Sequence, residues 1–388
     1  MVLLKASSSQ MQSLLRYIVC IVAALFAPLG AWASFFPLFN PFIPKTPQQI
    51  QLDTQLFVAN DPLSLEAFTD EWQGDYHPRE GANYALETMR VDLGTYLLRW
   101  GYVGYFYQKQ FVVHSNRGLV DGYHALKQDI TPDERTDYPL ELEIEGIERH
   151  GILWANRWRL LERKTDSLEW AMGGYLSYDT DLQDGTLHGE GSLFPDGTYS
   201  SRGEADYYYY ENLLYDLDVD HSYGWGYGLY VGVRYAYIPL QMSLTFIVND
   251  LFAYTHWSHA PYSRVSLETE NQTYGASGYV SYHPTIYGWE GYKSHTFKLS
   301  PTSYFNVHKV LNQEWQVEGG YESYGGVSLF YGGVHRMLGE AEASLLYEGR
   351  FHMVSFTYKS PKWHISLYTN GLKEASAVGV SLSYSYQF

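Results

Sequence analysis

One cysteine occurs in 388 residues, and it is Cys20. A disulfide therefore cannot staple the rest of the chain. Charge is scarce at 18%, and it is one-sided, with 26 Lys and Arg against 43 Asp and Glu for a net charge of −17. That balance excludes a phosphate backbone, and so nucleic acid, as a partner. Beyond residue 33 no run approaches the ~18 uninterrupted apolar residues of a membrane-spanning helix. What the chain has instead is 38 Tyr, 35 Gly and 17% aromatic residues. Such a composition suits strands rather than helices, and neither disorder nor a coiled coil.

The first 33 residues hold Lys5 and Arg16 and no acid, then an apolar run over 17–29, then Ala31-Trp32-Ala33. A basic start, an apolar middle and a small-x-small end read as a secretory signal cut after Ala33. A membrane anchor continuing to Phe39 is disfavoured by Pro28, Pro37 and the cleavage pattern inside it. Cys20 follows Tyr17-Ile18-Val19 and lacks the small residue that precedes a lipidated cysteine. A chain starting at Ser34 keeps 24 of the 26 basic residues and all 43 acidic ones, a net charge of −19.

Period-two alternation runs through most of the remaining chain. In residues 224–237, the odd positions read Trp225, Tyr227, Leu229, Val231, Val233, Tyr235 and Tyr237, while the even ones are mainly Gly. Aromatic residues stand at both ends of that apolar face and aliphatic ones in the middle. A lipid-crossing strand requires this order, with Trp225, Tyr227, Tyr235 and Tyr237 forming girdles at the two interfaces. Thirteen steps of about 3.3 Å give about 43 Å, or about 30 Å at a tilt of ~45°. Residues 242–248, 89–97, 354–358 and 363–367 repeat the pattern. An open sheet would leave unpaired backbone in hydrocarbon, so closure is required. The fold expected is all-β: a transmembrane, antiparallel, up-and-down β-barrel of about 16 strands, with 14 to 18 allowed. A soluble β-sandwich also alternates, but it does not account for the girdle order.

The domain plan is a signal over 1–33, an extended proline-bearing segment over 34–46 that forms a periplasmic tail or plug, and the barrel over 47–388. "IQLDTQLFV" supplies the first strand. A hairpin is expected at residues 149–151, with Gly151 in the left-handed position. Its register sets Glu143 opposite Arg157 and Glu141 opposite Arg159, as charged ladders lining the lumen. That turn and the one at Trp100-Gly101 face the periplasm, and residues 115–138 form an outer loop.

The chain ends "AVGVSLSYSYQF", with large apolar residues at even positions. With the signal and the girdle-ordered strands, this ending resembles Gram-negative outer-membrane β-barrel proteins over roughly residues 47–388. The resemblance implies an integral outer-membrane location, contact with lipids and lipopolysaccharide, and an assembly signal in Tyr384, Tyr386 and Phe388 read by the barrel assembly machinery. "FNPF" at 39–42 resembles the Asn-Pro motif near the start of long-chain fatty-acid transporter barrels, over four residues only. The fold itself serves pores, transporters, enzymes and adhesins alike.

Candidate chemistry is sparse. His114 and Ser115 are neighbours, so on a strand they face opposite ways and the histidine cannot activate the serine. His188 with Glu190, and His364 with Ser366, share a face but bring no recognisable third partner. "DTDLQDG" (Asp179, Asp181, Asp184) is one residue too long for a calcium loop, and no metal or other cofactor is expected. Asp216, Asp218 and Asp220 share a face and, with Glu141, Glu143, Glu145, Arg157, Arg159 and Arg234, are the lumen-lining candidates. "DYYYYEN" turns alternate tyrosines inward, as a sugar-stacking track or as filling. The functional expectation is a porin-like channel or transporter passing a solute, hydrophobic or glycan, across the outer membrane. A plugged surface or assembly barrel is the alternative, with a lipid-modifying enzyme third.

Overall fold

In a computed structural model the described residues are 34–36, 38–42, 49–97, 100–211, 219–269, 272–274, 280–282 and 285–387. Alternating segments become strands, in the order β1 (Gln49–Asn60), β2 (Asn83–Leu97), β3 (Gly101–Ser115), β4 (Thr136–Glu162), β5 (Asp166–Leu193), β6 (Tyr199–Tyr209), β7 (Gly224–Tyr237) and β8 (Met242–Glu268). After them come β9 (Gln272–Tyr274), β10 (Val280–Tyr282), β11 (Ile286–Lys298), β12 (Thr302–Val310), β13 (Trp315–Tyr324), β14 (Val327–Leu338), β15 (Ala341–Glu348), β16 (Val354–Lys359), β17 (Trp363–Thr369) and β18 (Ala377–Gln387). Sixteen of them form one antiparallel sheet, and β9 pairs only with β10. The sheet closes where β18 meets β1, Gln387 opposite Gln49 and Val378 opposite Val58.

Sixteen strands do not make sixteen staves. The lower part of β5 pairs with β7 and its upper part with β6. On its other side, β8 pairs with β7 below and β6 above. β11 and β12 likewise share one edge of β8. Two staves are thus each built from two consecutive descending strands, and 14 close the barrel. The expectation of about 16 strands matches the sheet, and its lower bound matches the ring.

The expected hairpin at residues 149–151 does not form. β4 runs straight through it for 27 residues, beside a β5 of 28. Gly151 is needed for close approach, not for a turn: a Cβ there would lie 2.0 Å from the Leu176 carbonyl oxygen. The turn falls at residues 163–165 instead, so Glu143 opposes Thr186 and Arg157 opposes Ala171. The ladders of Glu143 with Arg157 and Glu141 with Arg159 are not made. At Trp100-Gly101 the tight turn is present, with Gly101 at φ 87°.

All the connections at one rim are short, and by that rule this rim is periplasmic. At the other rim, residues 61–82 and 116–135 carry α1 (Leu65–Thr69) and α2 (Arg117–Lys127). These two pack together through Leu63, Ala67, Trp72 and Val120. No helix among the described residues is long and apolar enough to cross a membrane. The wall is lopsided. β4, β5 and β8 have 27 or 28 residues and rise well beyond the ~9–11 needed to cross a bilayer. β15, β16 and β17 have only eight, six and seven.

The outer surface carries Leu176, Trp225, Phe246, Phe330, Leu345, Phe356 and Leu367, all exposed. Alternate residues of the wall strands are buried inside the ring, in two clusters that include Phe57, Phe106, Leu153, Tyr230 and Tyr368. Apolar outside and packed inside is inverted relative to a soluble barrel, and lipid is the solvent that reconciles it.

Candidate functional site

Fourteen staves enclose more space than their own side chains can fill. With strands ~4.8 Å apart and tilted ~40°, the backbone radius is about 14 Å. Side chains occupy about 5 Å of it, leaving an axial void of about 9 Å radius.

Residues 34–36 and 38–42 lie in that void, running from the outer half of the lumen down toward the periplasmic rim. Phe35, Phe36, Leu38, Phe39 and Phe42 are all buried. Phe35 packs on Tyr331 and Tyr368, at ring centroid distances of 5.5 and 5.0 Å. Phe36 meets Phe57 and Tyr324 at 5.4 and 5.8 Å. Phe39 meets Tyr102 and Tyr230 at 5.6 and 4.9 Å. The Arg234 guanidinium lies 4.4 Å over the Phe42 ring.

The polar ties are fewer. Glu322 accepts from the backbone N–H of Phe35 and Phe36, at 3.0 and 2.9 Å, and its carboxylate lies 3.0 Å from the Ser34 hydroxyl. Tyr368 donates its hydroxyl to the Ser34 carbonyl at 3.0 Å. Gln55 accepts from the Leu38 N–H at 2.8 Å. The Asn40 side chain accepts from the Phe42 N–H at 2.9 Å, which turns the chain.

Beside Phe39 the lumen is crossed by a buried charged network. Arg90 donates two hydrogen bonds to Asp92, at 2.7 and 2.8 Å, and a third to Gln108 at 2.9 Å. Arg149 donates to the same Gln108 at 2.9 Å and to Asp250 at 2.8 Å, and the Tyr175 hydroxyl donates to Asp250 at 2.6 Å. Asp250 is held at φ 58° where β8 shifts register against β7. That bulge re-aims its carboxylate into the lumen. Both arginines are fully buried, and their charges are compensated within the network.

Toward the periplasmic rim, Arg157, Arg159 and Arg234 converge on Glu169 at 3.9, 3.7 and 3.9 Å. His335 sits between Glu342 at 2.8 Å and Glu318 at 3.3 Å. His364 meets Ser366 at 2.6 Å, and that serine also meets Thr357 at 2.8 Å. No group of His, Cys, Asp and Glu among the described residues could hold a metal. In the acidic loop motif, β5 shifts register against β4 around Thr180, so Asp179 and Asp184 point inward and Asp181 outward.

The remaining candidates are scattered around the wall. Glu141 and Glu143 are exposed on the inner face of its tall side, and Glu143 lies 3.6 Å from His114. Glu145 accepts from Ser300 at 3.0 Å. His114 stacks on Tyr84, while Ser115 donates to the Asn83 carbonyl. Asp220 is not on a strand: it precedes β7 in an exposed coil. Asp216, Asp218 and Phe388 lie outside the described residues. Trp225 and Tyr227 are exposed on the outer face, with Tyr235 and Tyr237 half-buried on the same face. Tyr384 packs on Trp363, and Tyr386 is exposed. Tyr208 stacks on His295 inside, whereas Tyr207 and Tyr209 pair on the other face. Sequence reasoning missed Glu322 and Asp250, and it took Arg149 for a turn residue. The available signal was charge at inward-parity positions.

A closed ring, an apolar outer belt and a polar, aromatic lumen define an outer-membrane β-barrel. No family model and no curated protein matches the chain. Among solved structures it is similar to the ΔS2S3 mutant of the monoaromatic hydrocarbon channel TodX, at 11% identity and a TM-score of 0.43, over 90% of this chain and 92% of that one. It is similar to the P. putida toluene transporter TodX at 12% identity and a TM-score of 0.42, over 90% and 91%. The outer-membrane protease OmpT of Escherichia coli is a weaker likeness, at 11% identity and a TM-score of 0.23, over 88% and 98%. At such distances these likenesses extend to the barrel architecture and no further.

Proposed function

We propose that this barrel passes small apolar solutes across the outer membrane, and that residues 34–46 are its plug. The observation that carries the reading is the filling itself. The segment that stops the lumen is not part of the wall, and it touches the wall mainly through five apolar side chains, three of them packed on aromatic rings. Where they leave, an aromatic-lined slot remains, and a compact apolar solute fits it better than an ion or a sugar. It is also the class of solute named for TodX, although so distant a likeness adds no weight.

The chain reaches the outer membrane through a signal cleaved after Ala33. Lipid and lipopolysaccharide cover its outer belt, and Tyr384, Tyr386 and Phe388 present the closing strand to the assembly machinery. Deleting Phe388 then lowers the yield of heat-modifiable barrel on gels without changing transport per assembled molecule.

Uptake of radiolabelled toluene, compared between cells with and without the barrel, tests the function. Faster uptake is expected with it. Equal rates, at confirmed outer-membrane levels, would overturn the transport reading in favour of a barrel that is plugged for good.

A further inference from the structure

Glu322 is an anomaly in the lumen. Its side chain is 1% exposed, yet each of its hydrogen-bond donors is neutral: the Ser34 hydroxyl and the backbone N–H groups of Phe35 and Phe36. No ion pair reaches it among the described residues, and the charged side chain that acts on it, Glu318, is another anion. The two fully buried arginines of the lumen behave differently, since Arg90 has Asp92 and Arg149 has Asp250. A buried carboxylate without a countercharge is strongly disfavoured.

All three donors belong to Ser34 and the two residues after it. The Ser34 Cα carries the hydroxymethyl group that reaches Glu322, and on another bond its own α-nitrogen. Rotation about the Cα–C bond, free at a chain terminus, turns that nitrogen toward the same carboxylate in exchange for the hydroxymethyl group. Tyr368 meanwhile holds the Ser34 carbonyl at 3.0 Å, which keeps the residue in place.

We propose that cleavage between Ala33 and Ser34 makes the α-ammonium of Ser34 the countercharge of Glu322, so that processing completes a buried latch that seats residues 34–42 in the lumen. The latch rests on the reading that the signal is cut after Ala33. In the cleavage, water adds across the Ala33–Ser34 peptide bond. Ala33 leaves as a carboxylate, and the Ser34 nitrogen keeps its hydrogen and gains two protons to become an ammonium. Before that step the nitrogen is a neutral amide with one hydrogen to give. Afterwards it carries a full charge and three donors. The uncleaved chain has the apolar plug but not its electrostatic anchor.

The test uses the folded full-length protein in detergent. Its intact mass should correspond to a chain beginning at Ser34. Periodate attacks an amino group and a hydroxyl on adjacent carbons, a pairing the backbone offers only at an N-terminal serine or threonine, and leaves a glyoxylyl group that mass spectrometry reads. Oxidation of the folded protein should be at least about ten-fold slower than of the same protein unfolded, because the group is buried. Glu322→Gln, if it keeps heat-modifiable migration, should oxidise close to the unfolded rate. A second measurement covers the case in which this variant does not fold. In wild type, an amine-labelling profile should place the Ser34 ammonium above the ordinary α-amino value of about 7.7–8.0.

A chain that retains its first 33 residues, or starts elsewhere, overturns the cleavage reading. A chain that starts at Ser34 but oxidises equally fast folded and unfolded leaves cleavage standing and overturns the latch. Full protection in Glu322→Gln, or an amine titrating at or below its ordinary value, overturns the role of Glu322.

Discussion

Removing the plug should convert a silent barrel into a conducting one. The variant lacks residues 35–46 and keeps Ser34 after the cleavage site. Burying Phe35, Phe36, Leu38, Phe39 and Phe42 recovers about 1.5–3 kcal/mol each, roughly 8–15 kcal/mol in all. Ordering the nine residues from Ser34 to Phe42 costs about 1.5 kcal/mol apiece, roughly 13 kcal/mol. These terms nearly cancel, so the polar ties at Glu322, Tyr368 and Gln55, each worth about 1–3 kcal/mol, decide whether the segment stays. A plug poised in this way can be displaced by a solute that offers the same aromatic walls the same contact. The wall strands pair with one another and not with the segment, so the deletion should leave the barrel assembled. What is lost is filling, out of a void of about 9 Å radius before the larger wall side chains are counted.

In planar bilayers the wild-type protein should show rare or no steps, and the deletion should show frequent, long-lived ones. Solute uptake by the deletion should lose its preference for apolar molecules, because water now fills the slot. Heat-modifiable migration on gels checks assembly in the same sample. If the deletion assembles and stays silent, the wall side chains alone seal the lumen, and the plug is not the gate.

The geometry dictates three further outcomes. Asp250→Ala leaves Arg149 buried without its carboxylate and should cost about 3–5 kcal/mol, read as a lower urea midpoint in micelles. Leu142→Cys with Leu187→Cys should cross-link readily, because the two residues are opposite in β4 and β5, whereas Leu142→Cys with Trp158→Cys should not. The reverse result would restore a hairpin at residues 149–151. In the extracellular cap, burial holds His124, stacked 3.8 Å from Tyr76, below its ordinary value of 6.5, against an opposing pull from Asp121. The unfolded cap therefore takes up protons first as pH falls, so cap stability is full above about 6.5 and drains away below it. Proteolysis at residues 61–82 and 116–135 should accelerate on acidification, and His124→Phe should flatten that response.

The outside of the barrel was legible because lipid imposes one rule on every stave: apolar at alternate positions, with aromatic rings at the ends. Residues 224–237 and 377–387 follow it as strands of the wall, with Val378 and Val58 closing the ring. The inside obeys no such period. Inward positions are filled by whatever completes the packing, so Arg90, Arg149 and Tyr230 look like any other polar-face residues until their partners, tens of residues away in sequence, are brought beside them. Residues 149–151 show how this misleads. Arg-His-Gly has the composition of a turn, and only the Leu176 carbonyl pressing on Gly151 reveals a glycine kept for closeness.

The number of staves falls at the lower bound of the expected range for a related reason. Alternation counts strands and cannot tell that β6 and β7, or β11 and β12, descend one above the other along the same edge of β8. That stacking has a physical consequence. A 16-stave ring would have a backbone radius about 2 Å larger and an axial void that one extended segment could not fill. With 14 staves, the proposed plug needs only a single chain carrying five large apolar side chains, helped by Arg90, Arg149 and Trp257 from the wall. The surplus strand length goes upward instead, into a tall wall whose inner face carries Glu141, Glu143, His188, Glu190 and Tyr208. On the proposed reading, a solute would meet a charged, aromatic face before it reached the slot that Phe35, Phe36, Leu38, Phe39 and Phe42 occupy, and the order of those two surfaces suits a gate that opens inward from its outer end.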